Sequence, residues 1–219
     1  GKSTTLAAML NHRNEHQQVH IITIEDPIEF IHPHKKCLVN QRELGLDTYS
    51  YARALRSCMR EAPDVILVGE IRDQETMQAA LELSNTGHLA ISTLHANNAN
   101  QAMQRVINMF PQNRHKELLM DLSMNLVCVI SQRLLKGVSE KMVPALEVML
   151  NTPFVADLIL KGKLDEIKDA MTGSAVKGMK TFDEALIDLY KNGLVTFEEA
   201  LNNADSRTDL EAKIKFGQG

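Results

Sequence analysis

The stretch Asp64-Val65-Ile66-Leu67-Val68-Gly69-Glu70 decides the fold of this 219-residue chain. Its four central residues are apolar and mostly β-branched, so they predict a short strand that is buried on both faces. A glutamate follows directly after the glycine, which places a carboxylate at the end of that strand. In open α/β sheets, ligands bind outside the carboxyl ends of the strands. The stretch therefore predicts both a central strand and one acid of a site.

Helical and strand-like segments alternate on both sides of that stretch. The predicted strands are 19–24, 64–68 and 89–94, and the predicted helices are 3–13, 51–60, 74–84 and 99–109. Such alternation is typical of a largely parallel sheet that is covered by helices on both faces. We therefore predict an α/β core domain over residues 1–150.

The pattern changes beyond Pro111. A helix at 116–126, an apolar run at 127–130 and one more strand at 142–149 are followed mainly by short helical segments. Two of these segments begin at Thr181 and Thr196, each with a glutamate three residues later, which is the pattern of a capping box. We predict a small C-terminal helical subdomain over residues 151–219.

Composition excludes several classes of protein. Hydrophobic residues make up 44% and charged residues 24%, as in ordinary soluble domains. A net charge of -4 argues against a protein that mainly coats nucleic acid. No apolar stretch approaches the roughly 20 residues that span a bilayer. The three cysteines form no C-x-x-C pair, which argues against a disulfide framework or a zinc module and fits a reducing compartment.

The first four residues, Gly1-Lys2-Ser3-Thr4, match the second half of the phosphate-binding motif G-x-x-x-x-G-K-[ST]. In such a loop, backbone N–H groups and the start of the following helix hold the phosphates. We expect Lys2 to reach the β- and γ-phosphates and Ser3 to bind Mg²⁺. The glycine-rich first half of the motif is expected before Gly1, and a chain that starts at Gly1 is expected to bind ATP poorly.

Carboxylates follow two of the predicted strands. Glu70 would face the phosphates and polarise the attacking water. The acidic segment 25–29 places three more carboxylates at the same edge, where they would repel phosphate unless a cation lies between. We therefore predict Glu25 and Asp26, together with Ser3, as Mg²⁺ ligands, and Glu29 as a catalytic residue that positions water. The alternative for these acids is a solvated strand end or turn.

Two histidines bracket the strand predicted at 89–94. At about 3.3 Å per residue, His88 and His95 cannot both touch one phosphate if this strand is straight. We predict that His95, at the carboxyl end, senses the γ-phosphate, and that His88 orients the catalytic acid or a nearby loop. The remaining histidines are interpreted as surface or packing residues: His12, His16, His20, His32, His34 and His115.

One arginine lies close enough in sequence to Glu70 to take part in chemistry. Arg72 is predicted to neutralise charge on the transferred phosphoryl group, a role that arginines often play across a subunit boundary. Surface salt bridges are the simpler interpretation for the arginines between the two acidic segments, which are Arg42, Arg53, Arg56 and Arg60.

Four segments in this order resemble the Walker A, Asp box, Walker B and His box of the secretion-superfamily ATPases. They are G-K-S-T (1–4), I-E-D-P-I-E-F (24–30), L-V-G-E-I-R-D (67–73) and the stretch from T-G-H to T-L-H (86–95). The resemblance extends over nearly the whole chain. Because no tetracysteine module follows the His box, the chain resembles the type IV pilus retraction branch, the PilT/PilU family. The segment 154–161, after Thr152-Pro153, has the apolar positions of that family's retraction helix but lacks its arginines and final acid, which resembles PilU more than PilT.

The resemblance implies a RecA-like P-loop NTPase core with ATP and Mg²⁺ as cofactors. It implies a cytoplasmic homohexamer, peripheral at the inner membrane, whose ATP hydrolysis drives pilus retraction and twitching motility. Its partners would be an inner-membrane pilus platform protein and a paralogous retraction ATPase, with no nucleic acid expected. A PAS-like domain that supplies further arginines is expected before Gly1.

Three functions remain open from the sequence. The chain would retract pili alone or as an accessory motor that depends on PilT. It would otherwise be a nucleotide-binding ring partner with little hydrolysis of its own, although the intact Glu70 argues against this. A nucleic-acid motor is disfavoured by the acidic net charge and by the Asp and His boxes.

Overall fold

A computed structural model of the chain describes residues 1–217. In this part of the chain there are six strands and ten α-helices, together with two short 3-10 helices. The strands are β1 (His20–Glu25), β2 (Leu38–Glu43), β3 (Val65–Val68), β4 (Leu89–Ser92), β5 (Cys128–Lys136) and β6 (Met142–Leu150). The helices are α1 (Lys2–His16), α2 (Tyr51–Cys58), α3 (Gln74–Asn85), α4 (Ala99–Asn108), α5 (His115–Asn125), α6 (Pro153–Leu160), α7 (Ile167–Met171), α8 (Phe182–Lys191), α9 (Phe197–Asn202) and α10 (Arg207–Phe216).

Four of the strands form a parallel sheet in the order β2-β1-β3-β4. All four residues of β3 are buried, because its apolar side chains serve both faces of the sheet. Ile24 pairs with Val68 and Val68 pairs with Ser92, so β1, β3 and β4 end at nearly the same level. The prediction of an α/β fold with a mostly parallel sheet is confirmed.

Strand β2 is the element that the sequence pattern did not predict. Its residues, Leu-Val-Asn-Gln-Arg-Glu, include few apolar side chains, and only Val39 among them is buried. The strand lies at the edge of the sheet and pairs with β1 alone. An edge strand needs less apolar surface than a central one. Neither the hydrophobic period nor the residue composition of this segment therefore predicts a strand.

Contacts divide the chain into two compact units, and the first comprises residues 1–95 and 106–125. Its core includes Leu10 of α1, packed with buried residues of β1, β2 and β3. Helix α2 buries Ala52, Ala54 and Leu55, and it packs against α3. These contacts hold the sheet in place between helices and fix where its strands end.

The second unit contains residues 96–105 and the chain from Leu126 onward. Strands β5 and β6 form an antiparallel two-stranded sheet in which Ser131 pairs with Glu147. Its core joins Leu135 and Ala145 of these strands to Phe182, Leu186 and Leu201 of α8 and α9. The strand predicted at 142–149 is therefore present, but it belongs to this separate antiparallel pair. The domain boundary at residue 150 stays a prediction.

Only one of the two predicted capping boxes is complete. Thr181 and Glu184 exchange hydrogen bonds reciprocally at the start of α8. Thr196 accepts from the Glu199 N–H at 3.1 Å, but the Glu199 carboxylate accepts from the Lys136 N–H at 2.9 Å instead of returning the bond. The backbone of β5 competes for this carboxylate, which is a tertiary effect that local sequence does not carry.

In the described part of the chain, no helix is both long enough and apolar enough to cross a membrane.

Candidate functional site

A cavity of about 230 Å³ lies at the carboxyl edge of the parallel sheet, within the first unit. Its walls come from the residues that follow β1, β3 and β4 and from the first two turns of α1. Seven of the predicted site residues line it: Lys2, Ser3, Glu25, Asp26, Glu29, Glu70 and His95. Because parallel strands end at one edge, the sheet brings together residues that lie far apart in sequence.

The Glu70 side chain is less exposed than the two side chains that contact it, Arg72 and His95. Its side chain is 15% exposed, whereas those of Arg72 and His95 are 66% and 64% exposed. The Arg72 guanidinium donates a hydrogen bond to Glu70, and His95 Nε2 lies 3.4 Å from Glu70 Oε2. The hydrogen bond from Arg72 lowers the pKa of Glu70, although partial burial opposes this shift. Glu70 is thus a carboxylate at neutral pH and can accept a proton.

Lys2 joins this group through His95. Lys2 Nζ lies 3.5 Å from His95 Nδ1, so a lysine, a histidine and a glutamate follow one another along one wall. Lys2 begins α1, and Gly1 at its N-cap supplies no side-chain hydrogen bond. The first N–H groups of a helix have no partner within the helix and carry partial positive charge, which suits an anion.

Ser3 contacts Glu29 more directly than it contacts the other acids of the Asp box. Ser3 Oγ donates to Glu29 Oε1 at 2.9 Å. Glu25 Oε1 instead accepts from Thr23 Oγ1 at 2.6 Å and from Gln41 Nε2 at 3.2 Å. Thr23 and Gln41 were not predicted. A buried threonine among isoleucines in β1 was a usable signal for the first, whereas only the pairing of β1 with β2 reveals the second.

The donors in this cavity suit Mg²⁺ by their chemistry. Across residues 1–217, no three His, Cys, Asp or Glu side chains converge on a metal position. The Ser3 hydroxyl and the carboxylates of Asp26 and Glu29 nevertheless line the same cavity. Mg²⁺ prefers such hard oxygen ligands, and it usually takes one or two from protein and the rest from phosphates and water. The residues therefore fit the ion, and the ligand roles of Glu25 and Asp26 stay predictions.

The family model described as "Type II/IV secretion system protein" matches residues 1–164. The chain belongs to the type II/IV secretion system protein family. It is 53% identical to the type IV pilus ATPase PilU of Pseudomonas aeruginosa over 218 residues, which cover 99% of this chain and 57% of PilU. It is 46% identical to the type IV pilus retraction ATPase PilT of the same organism, over 93% of this chain and 59% of PilT.

A crystal structure of the pilus retraction motor PilT with bound ADP matches this secretion-family chain with a TM-score of 0.90 and 44% identity. The match covers 96% of this chain and 60% of that one. The predicted fold and the predicted resemblance to the PilT/PilU family are confirmed. The chain spans a little under three fifths of the length of PilU and PilT.

Four predicted site residues of this secretion-family chain do not line the cavity: Gly1, Thr4, Arg72 and His88. Thr4 is exposed on the first turn of α1. His88 lies at the opposite end of β4 from His95, where its Nδ1 is 2.9 Å from Thr86 Oγ1 and 3.1 Å from the Leu83 carbonyl oxygen. His88 thus contacts the end of α3, and its role in orienting the catalytic acid stays a prediction.

The cavity of this secretion-family chain is also lined by Tyr51 and His32, which the sequence did not identify as site residues. His32 was assigned to the surface or to packing, but it lines the cavity and burial lowers its pKa. Tyr51 begins α2, far in sequence from every motif. Arg42 and Arg56 form salt bridges with Glu61 and Glu75, in agreement with their predicted surface role.

Proposed function

We propose that this chain is the ATP-hydrolysing part of a type IV pilus motor that drives pilus retraction and twitching motility. One observation carries the proposal: Lys2, His95 and Glu70 form a continuous row at the carboxyl edge of the sheet, beside the start of α1. A phosphate-binding lysine and a carboxylate base in one cavity are the two elements that phosphoryl transfer to water needs. The similarity to PilU and PilT supports the type of motor.

The predicted site residues, which lie in the cavity or next to it, divide the work as follows. Gly1, Lys2, Ser3 and Thr4 bind the phosphates of ATP, with the N–H groups at the start of α1 facing the anion. Glu70 accepts a proton from the attacking water, for which its lowered pKa keeps it ionised. His95 donates a hydrogen bond to the γ-phosphate, and Arg72 counters the charge on the transferred group.

Mg²⁺ would be held by Ser3 together with carboxylates of the segment 25–29, of which Glu29 accepts a hydrogen bond from the Ser3 hydroxyl. When bound, the ion supplies positive charge to the β- and γ-phosphates. Glu25 keeps its orientation through Thr23 and Gln41, so it can act on the ion through an intervening water.

The similarity to PilU and PilT, rather than any contact within this chain, supports the proposed assembly and location. We propose a homohexamer in the cytoplasm, peripheral at the inner membrane, that acts on an inner-membrane pilus platform protein. A paralogous retraction ATPase is its second partner. The segment 154–161, which lies largely in α6 and lacks the arginines of the retraction helix, supports an accessory role beside PilT.

The deciding experiment is Glu70→Gln in the full-length protein, measured as ATP turnover and as ATP affinity. Loss of a general base is expected to lower turnover by about 10²- to 10⁴-fold while affinity is retained. Glu75→Gln is the matched control, since Glu75 is an exposed carboxylate on α3 that pairs with Arg56 outside the cavity. Unchanged turnover in Glu70→Gln would refute the proposal that this chain hydrolyses ATP with Glu70 as the base.

A nucleotide-binding ring partner with little hydrolysis is the second candidate, and the divergent segment 154–161 favours it. Purified full-length protein separates the two. Turnover that is absent in this protein alone, and that in a mixture with its paralogue is the same with Glu70→Gln as with wild type, would support the ring partner. Turnover that Glu70→Gln abolishes in either preparation would exclude it.

A further inference from the structure

Tyr51 lies in the same cavity as Glu70 and Asp26, although no motif contains it. It is the first residue of α2, and Ser50 caps this helix by accepting a hydrogen bond from the Arg53 N–H at 3.2 Å. The buried face of α2 anchors the helix in the core through Leu55 and its neighbours. A fixed helix start, rather than a free loop, therefore positions the tyrosine ring.

The Tyr51 hydroxyl lies against the backbone of Gly69, the residue before Glu70. A Cβ atom at Gly69 would come 3.2 Å from this hydroxyl, closer than ordinary van der Waals contact. The Gly69 peptide is itself fixed on both sides. Its N–H donates to the Ile24 carbonyl at 2.8 Å, and its carbonyl accepts from Thr93 Oγ1 at 2.7 Å. The hydroxyl thus sits beside a rigid peptide that leads directly into Glu70.

The hydroxyl is a hydrogen-bond donor whose capacity the protein does not use. Within residues 1–217, no group accepts a hydrogen bond from it. Burial is the largest cause that raises the pKa of Tyr51 to about 12, and the carboxylates of Asp26 and Glu70 contribute. The phenol therefore keeps its proton near neutral pH and faces the cavity from the side of these two carboxylates.

We propose that Tyr51 positions the attacking water by donating a hydrogen bond to its oxygen while Glu70 accepts one of its protons. A carboxylate can only accept a hydrogen bond from water, so a donor is needed to hold the water's oxygen at a second point. A neutral phenol beside Glu70 and Asp26 supplies that donor without adding charge. The inference rests on the ATPase function proposed above.

The hydrolysis forms one bond to the γ-phosphorus and breaks another. A bond forms between the water oxygen and the γ-phosphorus, and the bond from that phosphorus to the β–γ bridging oxygen breaks. The electron pair of the broken bond leaves with ADP, and the water's proton passes to Glu70. Tyr51 makes and breaks no covalent bond, so its contribution is the orientation of the water.

The test is Tyr51→Phe in the full-length protein, with kcat and KM for ATP measured beside the melting temperature. Loss of one neutral hydrogen bond in the transition state is expected to lower kcat about five- to tenfold and to leave KM unchanged. The melting temperature should not fall, since the hydroxyl has no protein acceptor. Tyr49→Phe is the matched control, because Tyr49 is 85% exposed and lies outside the cavity.

Several outcomes would overturn the inference. Unchanged kcat in Tyr51→Phe would do so, as would a higher KM at unchanged kcat, which would mean that the hydroxyl binds nucleotide. A melting temperature well below that of Tyr49→Phe would reveal a protein acceptor and would also contradict it. Glu70→Gln is assayed in parallel: if it retains turnover, the ATPase proposal itself fails, whereas an inactive Glu70→Gln beside a fully active Tyr51→Phe refutes the role of Tyr51 alone.

Discussion

Each compact unit contains a group of interacting charges around a largely buried carboxylate, and the two groups differ in how far the protein satisfies them. In the first unit, Glu70 is largely buried, but its partners Arg72 and His95 are about two-thirds exposed. In the second unit, Arg133 donates to the Asn203 carbonyl and to Asp205, and its guanidinium stacks 3.9 Å from the centre of the Phe182 ring. Glu147 in the same unit is 3% exposed and accepts from the Ala99 N–H.

The difference separates a site from a structural network. Arg133, Lys168 and Asp205 pair with one another, although they line a cavity of about 620 Å³, and such mutual pairing stabilises a fold and leaves less capacity for a ligand. Charges with exposed partners and a free phenol beside them retain that capacity. Residue type alone does not distinguish the groups. The first combines a carboxylate with Arg72 and Lys2, and the second combines carboxylates with Arg133 and Lys168. Variants in each group should therefore affect different measurements.

Among the variants that compare the two groups, the largest effect is expected for Lys2→Ala, which should impair nucleotide binding without unfolding the chain. Loss of one charge-assisted hydrogen bond to phosphate is expected to weaken ATP binding by about 10- to 150-fold. Titration of the full-length protein with ATP measures this, and Lys36→Ala, an exposed lysine outside the cavity, is the control. Equal ATP affinities for the two variants would contradict the proposal that the group around Glu70 binds nucleotide.

Arg133→Ala should have the opposite signature, a loss of stability with little effect on ATP affinity. Burial alone would raise the pKa of Asp205, but hydrogen bonds from Arg133 and Lys168 together lower it, so the variant leaves a half-buried carboxylate with one cation. Breaking such a pair is expected to lower the free energy of unfolding by about 2 kcal/mol, below the range for fully buried pairs because Arg133 is partly exposed. Urea unfolding checks this, and an unchanged midpoint would contradict the structural role.

Glu147→Gln should change how the stability of the second unit depends on pH. Burial raises the pKa of Glu147, so above the ordinary value of 4.5 the folded state holds a proton that the unfolded chain has lost. The stability contributed by this group therefore falls as pH rises through that window. The free energy of unfolding of Glu147→Gln should rise relative to wild type between pH 5 and pH 7.5. Glu140→Gln, an exposed glutamate in the turn between β5 and β6, should show no such trend.

Arg72→Ala should shift the pH dependence of ATP turnover rather than stability. Arg72 is the largest cause of the lowered pKa of Glu70, so the variant's carboxylate should take up its proton at a higher pH. The acidic limb of the pH–rate profile is expected to move upward in pH, and turnover near neutral pH should be closer to wild type than turnover at acidic pH. A parallel loss at every pH would instead indicate that Arg72 acts on the phosphoryl group alone.

Arg56→Ala should have the smallest effect on stability and on ATP turnover, so it serves as the reference for an exposed salt bridge. The side chains of Arg56 and Glu75 are both more than half exposed, and such pairs contribute about 0–1 kcal/mol. Both unfolding free energy and ATP turnover should stay within error of wild type. A clear loss in either would show that surface pairs in the first unit matter as much as the groups compared above.

Much of the site was predictable because its residues sit in local patterns. The apolar run 65–68 fixes a buried strand, and in a parallel sheet the residue after such a strand must reach the carboxyl edge, so Glu70 and the segment 25–29 follow from position. The start of α1 follows from the phosphate-binding motif. Strand β2, Tyr51 and Gln41 were not predictable, because their places depend on which elements pair and pack.

The sequence by itself determined the α/β class, the order of the motifs and the identities of the acids, the lysine and the histidine at the sheet edge, since strand period and motif spacing are local properties. Only the tertiary structure decided which of these groups touch. It joined Ser3 to Glu29 instead of Glu25, placed His88 at the far end of β4, and brought the Tyr51 hydroxyl beside Gly69. Contacts between residues distant in sequence depend on register and packing, and no local pattern encodes them.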